Sequence, residues 1–117
     1  MTFKVACVQM AAGREFAPNI EKLSALIQLA RKGGDDLITL PEAITMIEPV
    51  AEKALAKALP EDRHPGLEAL RKSARETGAW ILIGSLNIRH ERGKVANRSF
   101  LLDSDGAIVA RYDKIHL

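Results

Sequence analysis

Glu42 and Lys114 are the residues whose settings could support chemistry beyond surface charge. Glu42 follows Leu40-Pro41 at the end of an apolar run and is flanked by Ala43 and Ile44. Such company should partly desolvate a carboxylate, and desolvation raises its pKa toward the range useful to a general base. Position alone equally fits a solvated loop glutamate. Lys114 stands between Asp113 and Ile115 beside another apolar run. An ammonium there can stabilise a developing oxyanion, or can simply keep an edge strand from pairing with other chains. Cys7, the single thiol, lies mid-strand in Val5-Ala6-Cys7-Val8 with no evident cation on its face to lower its pKa. It reads as a buried structural residue rather than a nucleophile. His64, His90 and His116 are far apart and lack metal-ligand spacing. Gly33-Gly34 is a helix stop, not a phosphate-cradling GxGxxG, so nucleotide binding has no motif behind it.

The elements that must position these residues can be read from apolar spacing. Phe3 to Met10 is a short apolar run and predicts a buried first strand. Pro18 fits the first position of a helix, where its missing N–H costs nothing. Ile20, Leu23, Leu26, Ile27 and Ala30 then recur at helical spacing, closed by Arg31-Lys32 and Gly33-Gly34. Asp36 to Leu40 is a second strand, ended by Pro41. Strand, helix, strand with short joints is a βαβ unit, which implies parallel strands. Glu42 would then lie just past a parallel strand's C-terminal end, where open α/β sheets bind ligands.

Ala51 to Leu59 carries an apolar face that predicts a short helix ended by Pro60. His64-Pro65 leads into another helix marked by Leu67, Leu70 and Ala74, and stopped by Gly78. Arg71, Lys72 and Arg75 on that helix read as a solvated basic face. Trp80 to Ser85 is a strand that Leu86 to His90 can extend into a hairpin turning at Glu91-Arg92-Gly93-Lys94. Asp103-Ser104-Asp105-Gly106 between two apolar runs predicts a second hairpin, whose last strand can continue toward Leu117.

Bulk composition narrows the class. The 117 residues are 47% hydrophobic, 27% charged and only 4% aromatic, so the core must be built mostly from Ile, Leu, Val and Ala. A formal charge of +2 with interleaved acids gives no basic face for nucleic acid. No apolar run approaches the ~20 residues that span a bilayer, and the start lacks a signal-peptide pattern. One cysteine leaves no internal disulfide framework and makes the cytoplasm the expected compartment.

Taken together the segments resemble the nitrilase, or carbon-nitrogen hydrolase, superfamily. The resemblance is carried by Val5-Ala6-Cys7-Val8-Gln9-Met10, by Asp36-Leu37-Ile38-Thr39-Leu40-Pro41-Glu42 and by Ile81-Leu82-Ile83-Gly84-Ser85. Asn97-Arg98-Ser99, Asp103-Ser104-Asp105-Gly106 and Arg111-Tyr112-Asp113-Lys114-Ile115-His116-Leu117 complete it. The pieces cover essentially the whole chain in order, and Leu-Pro-Glu with a downstream Tyr-x-Lys-Ile-His-Leu is the specific part.

The resemblance implies the N-terminal part of an αββα sandwich, an α/β fold with a mixed sheet and helices on one face. Residues 1–117 would form one incomplete domain, ending within an apolar strand pattern. Glu42 matches the family's general base and Lys114 its second catalytic residue; no metal or organic cofactor is implied. The family's nucleophilic cysteine lies a few tens of residues beyond the lysine, and Cys7 does not match it. Ala96 stands where an aromatic often precedes the hairpin asparagine. The implied parent hydrolyses a small-molecule amide, most like the ω-amidase and deaminated-glutathione amidase branch. A homo-oligomer is expected of the full-length form, with no nucleic-acid or membrane partner. A second expectation is a non-catalytic module that pairs with a complementary half. The chain by itself should be inactive, and an uncovered sheet face should make it associate.

Overall fold

The computed structural model describes residues 2–10, 16–42, 58–89 and 94–114. Five strands form a single sheet in chain order: β1 (Val5–Cys7), β2 (Leu37–Leu40), β3 (Trp80–Arg89), β4 (Val95–Leu102) and β5 (Ile108–Asp113). The first three run parallel, and β4 and β5 return antiparallel as a meander. Helices α1 (Phe16–Lys32) and α2 (Pro65–Thr77) supply the crossovers. This is the mixed α/β sheet expected, with β3 as the shared strand between its two halves.

The helices form where the apolar spacing puts them. In α1 Leu23 and Ile27 are fully buried, and Arg31-Lys32 occupy the last turn. It begins at Phe16 rather than at Pro18. Proline fits there because first-turn N–H groups have no intrahelical acceptor to lose. In α2 the His64 ring Nδ1 accepts from the Leu67 N–H at 3.1 Å, Pro65 opens the helix, and Gly78 closes it at φ 70°. Arg71 does more than sit on a solvated face. Its Nε donates to the Gly106 carbonyl at 2.8 Å and so ties the β4–β5 turn to the helix.

Among the described residues the core lies between the helices and one face of the sheet. Ile38, Leu40, Ile81, Ile83, Leu86, Ile88, Phe100 and Leu102 meet Leu23, Ile27, Leu67, Leu70 and Ala74. Each such large side chain contributes about 1.5–3 kcal/mol on full burial. Among the described residues no layer covers the opposite face. Register places Val5, Leu37 and Trp80 in one row across it, and Cys7, Thr39, Leu82, Leu101 and Ala110 in the next. Trp80 is 42% exposed and Leu82 39%. Apolar rows of this kind drive association, so the chain should sediment as more than a monomer. Leu82→Lys should shift it toward monomer, and a parent already monomeric at high micromolar concentration would contradict this.

Three expectations change. Cys7 is exposed, not buried, because β1 is an edge strand and, among the described residues, no layer covers its outward face. The first strand is shorter than the Phe3–Met10 run, spanning Val5–Cys7. Of the helix expected over 51–59, residues 51–57 lie outside the described residues. Leu59 is extended and bridges Ile88, with the Arg89 N–H donating to the Leu59 carbonyl at 2.9 Å. The strand demand of β3 wins over helical spacing there. The first hairpin's turn at 90–93 and the end at 115–117 also lie outside the described residues.

Candidate functional site

Glu42 is carried by the corner that follows β2. The strand stops at Leu40 because Pro41 cannot continue the ladder. That corner lies against Gly84 of β3: a Cβ there would come within 2.4 Å of the Leu40 carbonyl oxygen and 2.6 Å of Pro41 backbone atoms. Only glycine permits the approach. The β3–β4 ladder shifts register between Ile83 and Leu86, a bulge beside the candidate site. Ser99 secures it, its Oγ donating to the Gly84 carbonyl at 2.6 Å.

Lys114 follows the last residue of β5. Its N–H donates to the Asn97 carbonyl at 2.9 Å, which continues the β4–β5 pairing by one step. The Lys114 Nζ donates to Glu42 Oε1, so residues 72 apart in sequence meet as an ion pair. The site residues read from sequence are thus brought together. Glu42 is 66% exposed and Lys114 34%, so the desolvation expected for Glu42 is not found. Its charge is balanced by the ammonium rather than stripped of water by Leu40 and Pro41.

Behind Lys114 lies an ionic cluster that sequence reasoning missed. Arg98 on β4 faces Asp113 on β5 and donates to it twice, Nε at 2.6 Å and Nη2 at 3.0 Å. Glu61, on a 3₁₀ turn Glu61–Arg63, accepts from Arg98 Nη1 at 3.2 Å. It also accepts from Arg111 Nε at 2.8 Å and Nη2 at 2.9 Å. The hydrogen bonds from Arg111, and then the one from Arg98, hold the Glu61 carboxyl below its ordinary range. The Asp113 hydrogen bond raises Arg98, and the Glu61 hydrogen bond raises Arg111. The sequence marked the β4–β5 hairpin but not this pairing, because Arg98 comes opposite Asp113 only after the register shift between Leu101 and Leu102. Nothing local marked Glu61.

The other candidates fall elsewhere. Cys7 pairs with Thr39, short of Glu42 along the neighbouring strand, and takes no part in the Glu42–Lys114 contact. His64 is a helix cap, pushed down to about 4 by burial. His90 and His116 lie outside the described residues. Among the described residues no group of three His, Cys, Asp or Glu side chains is placed to hold a metal ion. Among the described residues no helix is long and apolar enough to cross a membrane. A carboxylate touching an ammonium can trade a proton and present a fixed positive charge. It still needs a nucleophile.

Comparison with known proteins gives these features relatives. The family model described as carbon-nitrogen hydrolase matches residues 4–117. Deaminated glutathione amidase of Homo sapiens is 34% identical over 97% of the chain and 36% of its own length. The protein of the same name from Yersinia enterocolitica is 28% identical over 97% and 40%. The chain spans 35–41% of the length of the curated relatives it matches. Among solved structures, a mutant amidase from Nesterenkonia sp. AN1 superposes with a TM-score of 0.83 at 23% identity, covering 99% of this chain and 45% of that one. That structure shows Michael addition of acrylamide at its active site cysteine. At this identity the likeness shows the fold alone.

Proposed function

The chain belongs to the carbon-nitrogen hydrolase family, and on that premise we propose that Glu42 and Lys114 are two members of a Cys-Glu-Lys site. The site would cleave the amide C–N bond of a small molecule through a thioester. The observation that carries this reading is the Glu42–Lys114 ion pair at the C-terminal edge of the parallel strands.

The chemistry follows from the groups. A thiol attacks the amide carbon as Glu42 takes its proton, and the carbonyl electrons move onto oxygen. Lys114 balances that oxyanion. As the C–N bond breaks, Glu42 returns the proton to the leaving nitrogen and a thioester remains. Glu42 then takes a proton from water, the resulting hydroxide attacks the thioester, and the acid leaves as the thiol is restored.

The thiol in this proposal comes from beyond Leu117 in the whole protein, since Cys7 is on the wrong strand. Small ω-amides and deaminated-glutathione-type amides are the proposed substrates, on the similarity to amidases of those names. The cytoplasm and a homo-oligomer are proposed for the full-length form.

The exposure of Trp80 and Leu82 on one sheet face favours a second reading, a non-catalytic module that docks against a complementary half. Ammonia release separates the two. The 117 residues alone should release none from a panel of small amides. The whole protein should release it, and Glu42→Gln or Lys114→Ala should lower kcat/KM by about 10²-fold or more. Turnover by the 117 residues alone, lost in Glu42→Gln, would overturn the missing-thiol assignment. Undiminished turnover in Glu42→Gln of the whole protein would remove Glu42 from the mechanism.

A further inference from the structure

The geometry points to Arg98 as a positioning residue that, through Asp113 and Glu61, holds Lys114 against Glu42. The inference rests on the proposed roles of Glu42 and Lys114 and deepens them.

Lys114 is the first residue beyond β5, so little of the sheet ladder holds it directly. One backbone bond, to the Asn97 carbonyl, lies at its own position. Fixing a lysine stem costs rotamer entropy that an exposed ion pair does not repay. The contact with Glu42 therefore needs the strand end to be fixed by something else. Residues 111 and 113 project to the same face of β5, and both are gripped. Arg111 is forked onto Glu61, and Asp113 is forked by Arg98. The Arg98–Glu61 bond closes the chain of contacts and anchors it to the 58–64 segment, which β3 in turn holds through Leu59.

The arrangement also separates charges. Asp113 is a carboxylate adjacent to Lys114 in sequence and a potential competitor for its ammonium. Double donation from Arg98 commits both Asp113 oxygens on the face away from the Lys114 side chain. Arg98 itself is only 17% exposed in its side chain, whereas Asp113 is 44% exposed. Arg98 is thus the less exposed member of the pair.

The test is competitive acetylation of the chain's lysines, read by mass spectrometry, with exposed Lys72 and Lys94 as internal standards. Glu42→Gln should raise Lys114 labelling roughly two- to fivefold, the loss of one exposed ion pair. Arg98→Ala should raise it by a similar factor with the standards unchanged, and the double variant should add little more. Arg98→Lys keeps the charge but not the fork, so it should show part of the rise. It also carries the test if the alanine variant does not fold, as judged by circular dichroism.

Unchanged Lys114 labelling in a folded Arg98 variant, alongside a rise in Glu42→Gln, would overturn the positioning role and leave the proposed site intact. No rise in Glu42→Gln would remove the Glu42–Lys114 pair, and the proposed function with it. Additive effects of the two substitutions would likewise overturn the role, since they would show Arg98 acting on Lys114 by a separate route.

Discussion

Gly84→Ala should lower the melting temperature by about 10 °C and break the Glu42–Lys114 contact. An added Cβ would meet the Leu40 carbonyl oxygen at 2.4 Å and Pro41 backbone atoms at 2.6 Å. These are backbone atoms, not the ends of flexible side chains, so the strand end must move. Overpacking of this kind costs about 1–3 kcal/mol, and backbone obstruction places this case near the top, at about 3 kcal/mol. Gly33→Ala is the control, because its Cβ meets the nearest backbone oxygen at 3.3 Å. Thermal unfolding followed by circular dichroism compares them. A Gly84→Ala protein melting within about 2 °C of the parent would mean the corner does not press on β3 as described.

Acid should weaken the fold in a window set by His64. The ring is 2% exposed, and burial lowers it from 6.5 to about 4. Its folded pKa lies below the unfolded value, so between these limits the unfolded chain binds more protons. Stability is therefore complete above pH 6.5 and falls as pH drops toward 4, by about 3 kcal/mol in all. Protonation would also turn the Nδ1 that accepts from Leu67 into a donor, which removes the cap of α2. Glu61 is shifted below 4.5, so the stability it contributes is lost only at lower pH, after the His64 loss is largely complete. Urea unfolding at pH 7 and pH 4.5 should show a large fall for the parent. His64→Ser keeps a capping oxygen without a titrating ring and should show a much smaller one. Equal falls in the two proteins would assign the acid sensitivity elsewhere.

What could be read from the sequence follows a physical line. The helices and most strands were legible because their order comes from local spacing and from Pro41, Gly78 and Asp105-Gly106. Glu42 was legible as a position, since a βαβ unit puts it past a strand's C-terminal end. Its exposure was not, because apolar neighbours in sequence need not cover a side chain that turns toward a distant ammonium. The same reasoning misled on Cys7. An apolar strand looks buried from its own residues, while burial depends on a second layer that covers its outer face, and among the described residues no layer lies there. Glu61 was invisible for a third reason. Its partners Arg98 and Arg111 lie 37 and 50 residues away and are assembled only by tertiary packing.

The length of sequence between Glu42 and Lys114 decides what their contact can be. Closing a free loop of 72 residues costs roughly 4 kcal/mol of chain entropy. An exposed ion pair returns about 0–1 kcal/mol, too little to meet that cost. The ladder from β2 through β5 has already closed the loop by the time the two charges meet. The pair is thus a product of the fold and not one of its supports, which leaves both side chains free to be selected for chemistry with little consequence for stability.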